Sequence, residues 1–307
     1  MSDVPSSRLR ELNKQPINSQ GQFVLYWMTA FRRPFYNFAL QRAVEHATKS
    51  GKPLMILEAL RCDYPFANDR LHAFILQGMC NNAEHFSSTT AYYYPFVETT
   101  QGAGKGLLAE LSKSACLIVS DDHPGFFFPK MLQAASQKVP VKLEAVDSNG
   151  LLPLRVTDQV FATAYSFRRF LQKTLPGHLF ERPIQDPLQG IVLPKLEKLP
   201  ETVAACWPAA SKGQLASTEQ ALGKLPIDHN IAITDERGGW QNADIYLDRF
   251  LRERLPNYLQ RSEPDRQVSS DLSPYLHFGH ISAHQIVAQL FTQEHGSSGG
   301  IAAASEG

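Results

Sequence analysis

The 307-residue sequence is poor in cysteine, methionine and tryptophan, carries no net charge and contains no long apolar run. Each shortage removes a class of protein. Cys62, Cys80, Cys116 and Cys206 lie far apart with no CxxC pair, so neither a zinc framework nor a disulfide scaffold is available, and a reducing compartment is expected. The four thiols read as core or inert groups. Thirty basic and thirty acidic residues cancel, which leaves any basic groove to local distribution rather than to overall charge. Residues 1–20 hold Arg8, Arg10 and Lys14 but no apolar leader, and no later stretch approaches a membrane span. A cytoplasmic protein with no membrane partner is therefore expected, and residues 1–20 read as a disordered arm.

What is present is ordinary globular material: 43% hydrophobic and 20% charged residues, in a length sufficient for two domains. Apolar runs at Phe23–Met28, Pro53–Leu60, Ala91–Val97, Cys116–Ser120 and Val141–Val146 alternate with helical patterns near 35–50, 69–86, 105–114 and 129–138. That rhythm predicts a doubly wound parallel α/β sheet over 21–150. Its ligand crevice should lie beyond the strand ends, at 29–33, 61–63 and 121–123. Asp158 to Leu175 reads as a further helix, with Arg168, Arg169 and Lys173 near one face. The proline-rich stretch 176–226 reads as a crossing without a core of its own, so 151–236 is assigned as helix and interdomain linker. Helical spacing resumes after Gly238-Gly239 and is broken at Pro256, opening an all-α segment over 237–295. Residues 296–307 are small and low in complexity and are expected to be disordered.

The run Ser269-Ser270-Asp271-Leu272-Ser273-Pro274 suits a phosphate. Ser273 reads as a helix N-cap, Pro274 fits the first helical position, clustered hydroxyls supply donors, and Ser282 can cap a second helix after Gly279. A helix cap without a ligand remains the alternative. Gly102-Ala103-Gly104-Lys105-Gly106 is a turn rather than a triphosphate loop, because Thr99 and Gly106 replace the required glycine and hydroxyl. Asp121-Asp122-His123 has acid–base or metal-binding content, yet carboxylates at a strand end usually accept backbone N–H groups of the next turn. His277, His280 and His284 read as neutral packed imidazoles as readily as a metal site, since Gly279 interrupts the helix between them. Tyr92-Tyr93-Tyr94 and Phe126-Phe127-Phe128 read as buried strand and turn residues in preference to stacking platforms for bases.

The pieces acquire meaning together. Gly238, Gly239, Ala243, Leu247 and Phe250, then Tyr258, Arg261, Pro264 and the Ser269–Leu276 run, stand in the order of the flavin-binding domain of the photolyase and cryptochrome superfamily. The continuation His277-Phe278-Gly279-His280-Ile281-Ser282 is most similar to class II cyclobutane pyrimidine dimer photolyases. Tyr26-Trp27-Met28 and Asn37-Phe38-Ala39-Leu40 resemble the opening of the same class. Two departures are visible: Tyr36 replaces an acidic residue, and one residue fewer separates Tyr258 from Arg261.

The resemblance implies a Rossmann-like antenna domain, a long linker, and the start of an all-α FAD-binding domain. It implies that Ser269, Ser270, Leu272 and Ser273 contact the FAD phosphates, with Tyr258 reaching the same group. It further implies light-driven electron transfer from reduced FAD to a cyclobutane dimer flipped out of DNA, with an antenna chromophore whose identity the sequence does not give. No side-chain nucleophile or metal is required, and no catalytic residue is assigned. The family's flavin-ring pocket, tryptophan relay and most of its DNA-contacting surface have no counterpart here. The sequence is thus expected to be C-terminally incomplete, with an exposed apolar face where its helices end. A cryptochrome-like light sensor without repair and a non-catalytic α/β nucleotide-binding or interaction module remain as alternatives, and the oligomeric state is undetermined.

Overall fold

In the computed structural model, which describes residues 3–296 except 218 and 264, six strands form one sheet in the order β1-β6-β5-β2-β3-β4. The strands are β1 (Leu9–Glu11), β2 (Phe23–Met28), β3 (Leu54–Leu60), β4 (Tyr92–Val97), β5 (Ala115–Asp121) and β6 (Leu143–Val146), all parallel except β1. Helices α1 (Phe38–Ser50), α2 (Asp69–Ser87), α3 (Leu107–Ser114) and α4 (Phe128–Ser136) connect the parallel strands. Every residue of β2 and β5 is buried, as required of central parallel strands covered on both faces. The period of two divides β2 between two cores: Val24, Tyr26 and Met28 pack toward α1, while Phe23, Leu25 and Trp27 pack with Leu107, Leu111 and Leu132. Strand order reverses between β2 and β5, so their carboxyl ends open the crevice expected of a doubly wound sheet.

The expectation of a disordered arm over 1–20 is corrected. Leu9–Glu11 pairs antiparallel with β6, and a single turn at Ser6–Arg8 places Arg8 wholly inside. Its guanidinium donates to Gly150 O at 3.1 Å and Leu151 O at 2.8 Å, and lies 4.7 Å above the Phe38 ring. A polar three-residue edge strand has too short a period to declare itself in sequence.

After β6 the chain forms α5 (Ala164–Thr174) and then three short helices, α6 (Glu201–Cys206), α7 (Lys212–Leu215) and α8 (Glu219–Leu222). This crossing contributes to the cores it passes. Leu188 and Leu193 enter the cluster beneath α1, Val203 enters the opposite face, and Leu215, Leu222 and Leu225 pack with α2. The Trp207 indole donates to Ala103 O at 2.8 Å, and Ala210 N donates to Pro95 O at 2.7 Å.

The last part holds α9 (Trp240–Arg249), a π-helical turn at Phe250–Arg254, a 3-10 stretch at Leu255–Gln260, α10 (Ser273–His277) and α11 (Ala283–Gly296). Ala243, Leu247, Phe250, Leu251, Leu272, Tyr275 and Ile281 form a core that includes Phe74 of α2, so these helices are seated on the α/β sheet's own helix. Two glycines permit the approach. A Cβ at Gly238 would stand 1.9 Å from Phe74 O, and one at Gly279, whose φ is +73°, would stand 1.9 Å from Ala30 O. Some apolar surface is exposed, notably Ile245 at 64% and Leu259 at 90%. Pro264 and the tail expected to be disordered lie outside the described residues, apart from Gly296, which ends α11.

Candidate functional site

The carboxyl ends of β2, β3 and β5 bound a cavity of about 500 Å³, lined on its far side by His277, the last residue of α10, and Phe278. One buried carboxylate shapes its floor. Asp121 Oδ2 accepts from the backbone N–H groups of Thr29 at 2.8 Å, Ala30 at 2.7 Å and Phe31 at 2.9 Å, and Oδ1 accepts from the Tyr26 hydroxyl at 2.7 Å. These bonds turn the chain sharply after β2 and present Thr29, Ala30 and Arg32 to the cavity. Burial, with Asp121 beside it, pushes the Tyr26 phenol well above its ordinary range, so it stays a donor. Asp121 thus serves the turn rather than acid–base chemistry. Asp122 is likewise engaged, by Arg10 at 2.7 Å and by Arg155.

Arg32 is fixed by Glu58, which is wholly buried and accepts from Arg32 Nη1 at 2.9 Å, Asn82 Nδ2 at 2.9 Å and the Tyr93 hydroxyl at 2.7 Å. On the opposite wall Arg61 grips Asp63 through bonds of 2.8 and 2.7 Å. Tyr64, Phe66, Phe126, Phe127 and Phe128 add aromatic rings to the wall, beside aliphatic residues such as Leu60, Leu71 and Ile75. The expectation that Phe126-Phe127-Phe128 are buried turn residues is corrected: Phe126 is 71% and Phe127 44% exposed. Phe126 also has φ +57° and sets its ring edge-on to His277 at 5.4 Å. Aromatic walls with two guanidiniums and two imidazoles, His123 and His277, suit a flat heteroaromatic molecule bearing acidic or acceptor edges.

The serine run lies at the other end of α10. Ser269 is exposed, and its hydroxyl donates to Asp271 Oδ1 at 2.6 Å. Ser270 Oγ accepts from Leu272 N at 3.4 Å, while Leu272 itself is buried in the core with Phe74. Ser273 is the first residue of α10 rather than its cap; the N-cap position falls to Leu272, with no side-chain capping bond. Ser282 does cap α11, its hydroxyl accepting from His284 N at 3.1 Å. Arg254, reaching across from the π-helical turn, donates to Ser269 O at 2.7 Å and pairs with the Asp271 carboxylate. This arrangement places Ser269 and Ser270 in the loop that enters α10, Ser273 at its first position, and Arg254 beside Ser269. Hydroxyls plus a guanidinium are the donor set of a phosphate site, so the residues present fit a dinucleotide phosphate. Tyr258 is held differently, with Arg261 4.7 Å above its ring and Phe250 edge-on at 5.3 Å. In the sequence Arg254 stands only among the five arginines Arg249, Arg252, Arg254, Arg261 and Arg266 of a basic stretch that reads as a solvated face or a phosphate-contacting groove, and the fold is what brings it beside a residue fifteen positions later.

The remaining motifs are accounted for. Gly104 N donates to Glu98 Oε1 at 2.9 Å, which fixes the glycine turn against the sheet. His280 accepts from Gly239 N at 2.9 Å through Nδ1, and burial near Arg32 and Arg33 lowers its pKa to about 3. Burial near Arg8 and Arg33 lowers His284 likewise to about 3. No group of potential ligands able to hold a metal ion occurs among the described residues. Cys62 and Cys116 are buried, whereas Cys80 and Cys206 are exposed, so the thiols are not all core groups. No described helix is long and apolar enough to cross a membrane.

No family model matches the chain. It is 25% identical to a deoxyribodipyrimidine photolyase of Methanothermobacter thermautotrophicus over 281 residues, 91% of this chain and 58% of that protein. It is 24% identical to a deoxyribodipyrimidine photolyase of Arabidopsis thaliana over 296 residues, 92% of this chain and 56% of that protein. The chain therefore spans little more than half the length of these curated relatives. Among solved structures, a Synechocystis cryptochrome matches at a TM-score of 0.67 and 16% identity, over 91% of this chain and 57% of that one. A class III photolyase of Agrobacterium tumefaciens matches at 0.60 and 17%, over 89% and 54%. The fold is that of the corresponding part of photolyases and cryptochromes, and the resemblance read from the motifs agrees with these similarities.

Proposed function

We propose that this chain carries the antenna-like α/β unit and the flavin-phosphate segment of a class II-like photolyase flavoprotein for light-driven repair of cyclobutane pyrimidine dimers. The observation that carries the reading is the ordered run from Gly238 to Ser282, with its glycines in close contact with the α/β helix and its Ser269 carbonyl bonded to Arg254. Ser269, Ser270, Leu272 and Ser273 would hold the FAD phosphates, the serines through hydroxyls and Leu272 through its backbone N–H, with Tyr258 on the same side. Bound FAD would supply photoexcited electron transfer to the lesion; the residues here would bind and orient it. The cavity between the strand ends and His277 would seat the antenna chromophore. DNA containing pyrimidine dimers is the proposed partner, in the cytoplasm.

Purified protein, from this chain and from any longer product of its reading frame, would be tested for flavin absorbance and for light-dependent loss of cyclobutane dimers from irradiated DNA. Flavin with repair is expected for the longer product. Flavin without repair would favour the cryptochrome-like sensor, and absence of flavin in every form would leave the non-catalytic nucleotide-binding or interaction module.

A further inference from the structure

Within the serine run, the residue that contributes no donor is the one that occupies the donors. Asp271 stands between Ser270 and Leu272 with φ +56°, and its two carboxylate oxygens are divided between the Ser269 hydroxyl at 2.6 Å and the Arg254 guanidinium. Arg254 is only 13% exposed and has no other acidic partner among the described residues, whereas Asp271 is 39% exposed. The cation is therefore built into the structure, while the carboxylate is free to turn toward solvent. A carboxylate and a phosphate compete for the same donor geometry, since both present two oxygens to charged N–H and O–H groups. Asp271 also cannot remain in place when a phosphate arrives, because two anions on one guanidinium repel each other strongly at partly desolvated sites.

We infer that Asp271 is the charge-selecting residue of the Ser269–Ser273 cradle: its carboxylate fills the anion position itself, and a phosphate-bearing ligand enters only by displacing it from Arg254 and Ser269. This rests on the phosphate-cradle reading above. It gives Asp271 a role opposite in sign to its neighbours, keeping the half-buried guanidinium neutralised when no ligand is bound and lowering the affinity for weakly held anions such as inorganic phosphate.

The test is calorimetric titration of the whole chain with inorganic pyrophosphate, at fixed ionic strength, for the wild type, Asp271→Asn, Asp271→Glu and Ser269→Ala. Asparagine tolerates the left-handed conformation and keeps the shape while removing the charge. Asp271→Asn is expected to bind pyrophosphate about tenfold more tightly than the wild type. Asp271→Glu, which keeps the charge, should show no such gain, and Ser269→Ala should bind more weakly. Should the asparagine variant not fold, Asp271→Ser removes the same charge and is held to the same expectation. Pyrophosphate binding that Asp271→Asn leaves unchanged or weakens overturns the inference while leaving the cradle standing, as does an equal gain in Asp271→Glu. Absence of pyrophosphate binding to wild type and variants alike overturns both.

Discussion

At the scale of single residues, the chain invests in buried polar groups with assigned partners. Asp121 accepts from three backbone N–H groups and a phenol, Glu58 accepts from a guanidinium, an amide and a phenol, and Arg8 donates to two carbonyl oxygens. Such groups are costly when unpaired and fix local geometry when satisfied. His280 and His284 show the cost. Their pKa values, lowered to about 3 by burial beside arginines, mean that the folded chain binds fewer protons than the unfolded one between that value and about 6.5. The stabilisation is therefore complete above about pH 6.5 and is lost as pH falls toward 3. Urea unfolding at pH 7 and pH 5 should show a loss of about 2 kcal/mol for each of these histidines. Burial lowers His72, His85 and His123 as well, adding losses in the same direction. The His280→Gln/His284→Gln variant, less stable at pH 7, should lose correspondingly less on acidification; equal losses in both proteins would refute the assignment.

At the scale of elements, the crossing between the two halves behaves as a strap. Its prolines exclude long helices, as the composition suggests, but its leucines and Trp207 are placed in grooves of the sheet layers. Trp207 lies close over Gly106, where a Cβ would meet its ring at 3.3 Å, and its indole fixes the glycine turn through Ala103 O. Trp207→Ala removes this packing and the indole bond together, and should cost about 2–4 kcal/mol. Limited proteolysis offers a second readout, since cleavage within 195–225 should accelerate selectively if the strap is released. Unaltered cleavage there would show that the strap is held by its leucines alone.

On the scale of the whole molecule, the helical segment from Trp240 onward is joined to the α/β unit by backbone contact and not only by the crossing. Arg33 is buried between the two, donating to Gly279 O at 3.0 Å and to Ser148 O at 3.2 Å, while Gly279 lies against Ala30 O. Gly279→Ala introduces a side chain at positive φ and a clash with backbone, so a loss of about 2–4 kcal/mol is expected. Denaturation followed separately by tryptophan fluorescence and by far-ultraviolet circular dichroism should give one transition in the wild type and two in the variant, as the helices detach first. A variant as stable as the wild type would mean that the junction relaxes at little cost.

Much of this was legible in the sequence. The apolar runs of β2 to β6 and the helical patterns between them lie within ten or twenty residues of what they specify, so local periodicity determines them. The serine run and the glycine pair were equally visible, because each depends on short-range backbone geometry. Phe126 to Phe128, by contrast, became a cavity wall only because α10 ends opposite them. Arg8 could be read as a surface charge until its carbonyl partners at Gly150 and Leu151 were in place, and Arg254 had no visible relation to Ser269. The sequence by itself determined the five parallel strands and their winding, and it displays the serine run proposed as a phosphate loop, since those follow from periodicity and local donors. Only the tertiary structure decided which charges meet: that Asp271 lies on the arginine of its own cradle, and that the aromatic cavity is lined by a turn from the far end of the chain. Long-range apposition is set by packing, and packing leaves no period in the sequence.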